Sequence, residues 1–401
     1  MTGQGLVRLA VIVAAVAGGV AWYLANRADP SVLFAKAEAN LQKGHWEAAR
    51  AQMRRLEGIR RPTPKDRSLR ARVEMGAGDH ARALEELRQI VDDPELAPQA
   101  LYLTGLIERR RQRLRYAEAA YREAIRREPD LIQARKELIY ILGMQSRRRE
   151  LDAAFKDLAR FAPLTHYDLY IWCLTHFVNW GPDSAEDLQP FLSADPEDRR
   201  TRVAIATLLL GQPGQEGRVD EVLEPLPPDD PDVLALRIEK ELNRGRIDEA
   251  TRMIAGTQAD DPRLARLRAR IALRRGDRAA AVGYFRKALS DEPYDRVSNS
   301  ELGKALLLQG SRAEAERYLD RAHHLDEVYN LVTRIGKPQK DQQSPDLNRL
   351  ARACEAAGLI DEARGWYQLA IGQNPLDSEA QQGLRRLRPS PSATSMQRGD
   401  Q

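Results

Sequence analysis

Apolar positions recur with helical spacing along almost the whole chain, and the stretch Pro98–Leu131 shows the unit most clearly. It predicts two short amphipathic helices joined by a tight turn. Small residues, Gly105 on the first helix and Ala117 and Ala124 on the second, stand where the two must approach closely. Leu101, Ile107, Tyr121 and Ile125 supply bulk between them, and Pro129 ends the segment because it lacks an N–H and disfavours helix at its neighbour. One such hairpin cannot bury its apolar face alone and needs stacked copies.

Windows of 34 residues supply the copies, starting at Pro30, Pro64, Pro98, Ile132, His166 and Arg200, then at Pro262 and Arg296, and last at Ser344. The turn position carries Gly44, Gly78, Gly276, Gly310 and Gly358, and five residues later come Ala49, Ala83, Ala117, Ala281, Ala315 and Ala363. A large apolar residue follows at Met53, Leu87, Tyr121, Phe285, Leu319 and Tyr367. This column resembles the tetratricopeptide repeat family, whose period is 34 residues. The resemblance spans roughly Pro30 to Leu387 and implies an all-α, right-handed superhelical solenoid of about ten helix-turn-helix repeats. It also implies a concave binding surface formed by the first helix of each pair.

Residues 6–25 are apolar except for Arg8. At about 1.5 Å per residue they just span a hydrocarbon core, and Trp22 and Tyr23 suit its interface. One transmembrane helix is therefore expected ahead of the solenoid. A cleavable signal peptide is the rival reading. It would need small residues at the −3 and −1 positions, whereas cleavage after Ala25 puts Tyr23 at −3 and cleavage after Ala28 puts Asn26 there. Basic residues flank both sides, so the repeats are read as extracytoplasmic only because a short N-terminal tail usually stays inside.

The expected organisation is an anchor at 1–29, a first array at 30–230, a second array at 231–329, an interruption at 330–343, a final unit with a capping helix at 344–388, and an unpacked tail at 389–401. The Pro225–Pro231 run is read as a joint, and the Pro/Ser-rich tail as too polar to pack.

With 63 basic against 59 acidic residues the chain lacks the strong basic bias of a nucleic-acid binder, and no nucleic acid is expected. There is no phosphate loop, dinucleotide turn, zinc-protease helix or nucleophile elbow, so an enzyme is not expected, and neither is a cofactor or metal. Cys173 and Cys354 lie many repeats apart and are read as inert core residues outside any disulfide framework. Cys173 with His176 has the spacing of a metal-ligand pair, but no second pair completes a closed site. His323–His324 is read as a helix-end cap. Arg109–Arg111 with Arg113, and Arg147–Arg149, form two arginine groups open to two readings, a dock for an anionic partner or a solvated turn.

Ligand contacts in the resembled family fall at the second, fifth, ninth, twelfth and thirteenth positions of each window. Carried over, Tyr102, Leu106, Tyr140, Tyr167, Tyr170, Leu174 and Phe177 would line the groove with aromatic and apolar contact area. Arg266, Arg270 and Arg274 lie at i, i+4, i+8 on one helix face and would add a basic patch. The other reading of the aromatic-rich window at His166 is that it packs its rings inward. The Lys/Asn carboxylate clamp of chaperone-tail binders is not reproduced. The expected function is a membrane-anchored scaffold that binds a protein or peptide partner in its groove, in cell-envelope assembly or secretion. The alternative is a regulatory adaptor on the cytoplasmic face that recruits an envelope enzyme or complex.

Overall fold

Helix starts recur at aspartates. Asp29, Asp230 and Asp261 each precede a proline that takes the first helical turn, and each side chain accepts hydrogen bonds from the exposed N–H groups there. Proline suits that position because the N–H it lacks would have no helical partner. Thr63 and Thr165 do the same through reciprocal capping boxes with Asp66 and Asp168. The repeats also share a turn geometry. Gly44, Gly78, Gly245, Gly276, Gly310 and Gly358 all have positive φ, and Gln112 and Ser146 hold the left-handed conformation in turns that lack glycine.

The computed structural model describes residues 29–178, 181–257, 261–335 and 346–387, and every regular element among them is helical. The apolar segment 6–25 lies outside them, as does the tail from 388. Among the described residues no helix is long and apolar enough to cross a membrane.

The chain divides into two compact units, one of residues up to 111 with 116–131, the other of 112–115 with 132 onward. The boundaries read from the sequence at 230 and 343 therefore fall inside the second unit. The first unit stacks the helices Pro30–Gln42, Trp46–Glu57, Pro64–Gly76, His80–Arg88 and Ala97–Arg110 with most of Leu114–Arg127. Its core is the repeating column: Ala37, Ala49, Met53, Ala71, Ala83, Leu87, Ala117, Tyr121 and Ala124 are all at most 2% exposed. Gly105 is required here, because a Cβ would lie 2.3 Å from the Tyr121 ring.

The second unit begins with the hairpin Ile132–Met144 and Arg148–Phe161, followed by His166–Thr175. Four further pairs run from Arg199 to Ile335, and Leu347–Ala357 with Ile360–Gln373 form the last. Ser378–Arg386 caps it, as expected. The second helix of the Arg200 window is short, Glu216–Leu223, cut by the proline run that follows.

Two expectations are corrected here. Asn330–Ile335, read as part of an interruption, completes the 24-residue helix Arg312–Ile335, because Leu325, Val328 and Val332 continue its apolar stripe and are fully buried. His323–His324 consequently lies in the middle of that helix and caps nothing.

The larger departure concerns closure. In a simple solenoid each repeat touches only its neighbours. In the second unit, helix His166–Thr175 also packs against Arg312–Ile335 and Ile360–Gln373, far along the chain. Phe155, Leu169, Trp172 and Cys173 share one core with Leu325, Val328, Leu350, Cys354 and Trp366. Trp172 stacks on Phe155 at 5.8 Å and its indole N–H donates to Asp152 Oδ1 at 2.8 Å. The His166 window departs from the repeat pattern because its helix serves two sets of neighbours.

Candidate functional site

The second unit holds a cavity of about 690 Å³. The first helices Arg199–Leu210, Pro231–Asn243 and Pro262–Arg274 provide its walls, and the turn Gln145–Glu150 closes one side. Its lining contains Arg147, Arg148, Arg149, Arg199, Arg200, Arg263 and Arg266, so arginines outnumber carboxylates seven to five and the recess has a positive balance. The carboxylates hold guanidinium groups in place. Arg147 pairs with Glu150 at 2.6 Å, Arg149 with Glu292 at 3.5 Å, and Arg263 with Asp232. Arg199 is bidentate to Asp230, with both contacts at 2.6 Å.

Arg148 and Arg266 stand close enough to act on one another's charge. Desolvation, then repulsion from Arg266, holds Arg148 below the ordinary guanidinium value although the residue remains exposed within the recess. At Arg266 burial acts downward, but Asp295, Glu239 and Glu292 outweigh it, so that guanidinium is held above its ordinary value. Arg266 reaches Asp295 only at 3.5 Å, and its Nε is buried without a hydrogen-bond partner. A bound anion would separate the like charges and supply an acceptor.

Arg266 also lines a second recess of about 360 Å³ with Arg270, Arg274, Phe285 and Val297. The three arginines read from the i, i+4, i+8 spacing therefore do share one surface. Arg270 is anchored on Glu239 at 3.0 Å, while Arg274 is exposed.

The aromatic residues distribute differently. Tyr102 lies in the first unit, 6.1 Å from Tyr121, and packs with Leu106 against that unit's core. In the second unit Tyr140 and Tyr167 are exposed, Tyr167 at 62%. Tyr170 sits 6.5 Å from Tyr167 but packs, with Leu174 and Phe177, against the closure core. Phe177 meets Tyr329 at 5.4 Å. Closure explains this inward packing, because Tyr329 belongs to the long helix that covers the window.

The sequence reading did not single out Arg199, Arg200 and Arg263. Arg263 stands at the second position of its window, one of the positions the family resemblance points to, and that position could have found it. The two arginine groups of the sequence reading fall in different units for the most part, and Arg147–Arg149 joins the cavity lining.

Among the described residues, Asp152, His176 and Glu362 form a group that could hold a metal, with ligand atoms within 4.8 Å of one another. Their donors are already committed. Asp152 accepts from Trp172 and from Lys156 Nζ at 2.7 Å, and His176 Nε2 lies 2.5 Å from Glu362 Oε1. Lys156 supplies the positive charge, and the cluster ties the two ends of the closure together. Cys173 faces Cys354 and Trp366 rather than sharing a point with His176.

A family model of the tetratricopeptide repeat matches residues 68–132. No curated protein matches the chain. Among solved structures, a tetratricopeptide repeat protein from Parabacteroides merdae is similar at 18% identity over 59% of this chain and 98% of that one, with a TM-score of 0.28. The Cut9–Hcn1 hetero-tetramer of the APC/C aligns at 15% identity over 91% of each chain, with a TM-score of 0.33. The human IFIT1 dimer with PPP-AAAA aligns at 14% identity over 87% of this chain and 90% of that one, with a TM-score of 0.36. Identity and superposition are low in each case, so the repeat assignment rests on the matched segment and on the packing column. Residues 68–132 carry the tetratricopeptide repeat, and the helix pairs before and after them share its buried small-residue column.

Proposed function

We propose that the protein is a membrane-anchored scaffold that captures a partner protein through an acidic segment seated in the arginine-rich recess of the second unit. The observation that carries the reading is the crowding of Arg148, Arg263 and Arg266 around one cavity. Burial holds Arg263 below its ordinary value, with Arg266, Arg199 and Arg149 adding repulsion against the pull of Glu292. An acidic side chain relieves that repulsion, and the fork geometry of guanidinium suits carboxylates. The exposed Tyr140 and Tyr167 offer apolar area to further parts of a partner in the same unit.

Residues 6–25 supply the anchor in this reading, with the repeats on the extracytoplasmic side in envelope assembly or secretion. A reporter fused after Gln401 and assayed on both sides of the membrane decides between that placement and a cytoplasmic adaptor. Capture is tested with a fluorescent glutamate-rich peptide and the purified full-length protein. The expected result is salt-sensitive binding that Arg148→Ala with Arg266→Ala weakens roughly tenfold or more. Equal binding of glutamate-rich and uncharged peptides would remove the proposal.

A further inference from the structure

The chain has two cysteines, and the closure of the second unit brings them together. Cys173, on helix His166–Thr175, and Cys354, on helix Leu347–Ala357, are fully buried, and their sulfurs lie 3.9 Å apart across 181 residues of sequence. The two repeats are remote in sequence, as expected, but closure removes the spatial separation on which the exclusion of a disulfide rested. The Trp366 indole N–H, 3.3 Å from Cys173 Sγ, fixes one sulfur from the side. Leu169, Leu350 and Ala351 belong to the same core, so the pair lies in largely apolar surroundings.

A disulfide bond is about 2.05 Å long, so roughly 2 Å of approach separates this pair from one. The joined helices lie at the two ends of the closure, and the loop closed would be long, the case in which a cross-link restricts the unfolded chain most. The partner thiol and then burial push Cys354 well above the ordinary thiol value. A Cys354 thiolate is therefore disfavoured in the closed fold.

We propose that Cys173 and Cys354 form an intramolecular disulfide that staples the end of the second unit to its beginning. The oxidant is a low-molecular-weight disulfide such as oxidised glutathione. One cysteine thiolate attacks it, forming a mixed disulfide and releasing one glutathione thiolate, which takes up a proton. The second cysteine then attacks the protein sulfur and releases the second glutathione. The two protein thiols thus lose two protons and two electrons, and one glutathione disulfide becomes two thiols. Because both sulfurs are buried, the reaction proceeds during folding or when helix His166–Thr175 parts from its distant neighbours. The staple is independent of what the recess binds.

The test is to refold reduced full-length protein in a glutathione redox buffer with detergent, then map peptides by mass spectrometry and measure Tm with and without reductant. The expected result is a peptide pair joining Cys173 to Cys354, a higher Tm for the oxidised form that reductant reverses, and no redox effect on Tm in Cys354→Ala. In the folded, reduced protein, mild denaturant should accelerate the same cross-link. Recovery of both cysteines as free thiols after refolding overturns the proposal, and so does a cross-link that lowers Tm.

Discussion

Leu169 fills the space in front of Gly365. A Cβ on that glycine would lie 2.4 Å from Leu169 Cδ2, so helix Ile360–Gln373 can reach helix His166–Thr175 only because residue 365 has no side chain. Leu169 is fully buried at the contact. Gly365→Ala should therefore destabilise the second unit by about 1–3 kcal/mol through overpacking. Chemical denaturation measures the loss, and the double variant with Leu169→Ala should lose less stability than the sum of the two single losses, because the truncation removes the clash.

Ser146 holds φ at 53°, where six other repeat turns have glycine. Its hydroxyl is buried without a hydrogen-bond partner. Ser146→Gly should stabilise the fold by about 1 kcal/mol, the usual cost of a left-handed non-glycine residue. A rise in the denaturation midpoint with unchanged slope is the expected reading.

The fold was largely legible because its main determinant is local. Small residues, turn glycines and prolines repeat in register, and Ala37, Ala71, Gly105 and Ala351 are buried as that register requires. Closure was not legible, since nothing in the periodicity couples Trp172 to Trp366 or Cys173 to Cys354. The aromatic richness of the His166 window was a signal of that second contact surface, read instead chiefly as groove lining. At the site, helical spacing placed Arg266, Arg270 and Arg274 together. The convergence of Arg199 and Arg263 with the Arg147–Arg149 turn depends on how successive pairs stack.

The aromatic candidates separate into two groups by burial. Tyr167→Ala should leave stability within about 0.5 kcal/mol of the parent, as for an exposed side chain. Phe177→Ala should cost about 2 kcal/mol, because it removes the ring packed on Tyr329 and the closure core. Thermal melts of the two variants check the division.

Glu355 is held below the ordinary carboxylate value first by Arg386, which contacts it at 3.0 Å, and also by the Tyr367 hydroxyl at 3.0 Å. Burial, then the same carboxylate, pushes Tyr367 up to about 12. A depressed carboxylate contributes stability that is present above its unfolded value and disappears as pH falls through its folded value. Arg386→Gln should therefore lower Tm at neutral pH, and the gap to the parent should close on titration into the acid range below the ordinary glutamate value of 4.5. A gap that is constant across that range would assign the loss to packing of the capping helix.

The most direct test of the scaffold reading places a photo-crosslinking amino acid at Thr207, which lines the arginine-rich recess, in the full-length protein expressed in its own host. The same group at Leu376, which is 87% exposed and outside the recess, serves as the control. Mass spectrometry of the adducts should identify a partner cross-linked at Thr207 through an Asp/Glu-rich segment. That adduct should disappear when Arg148→Ala and Arg266→Ala are introduced. Adducts at Leu376 alone, or adducts at Thr207 to segments without acidic residues that persist in the arginine variants, would contradict it.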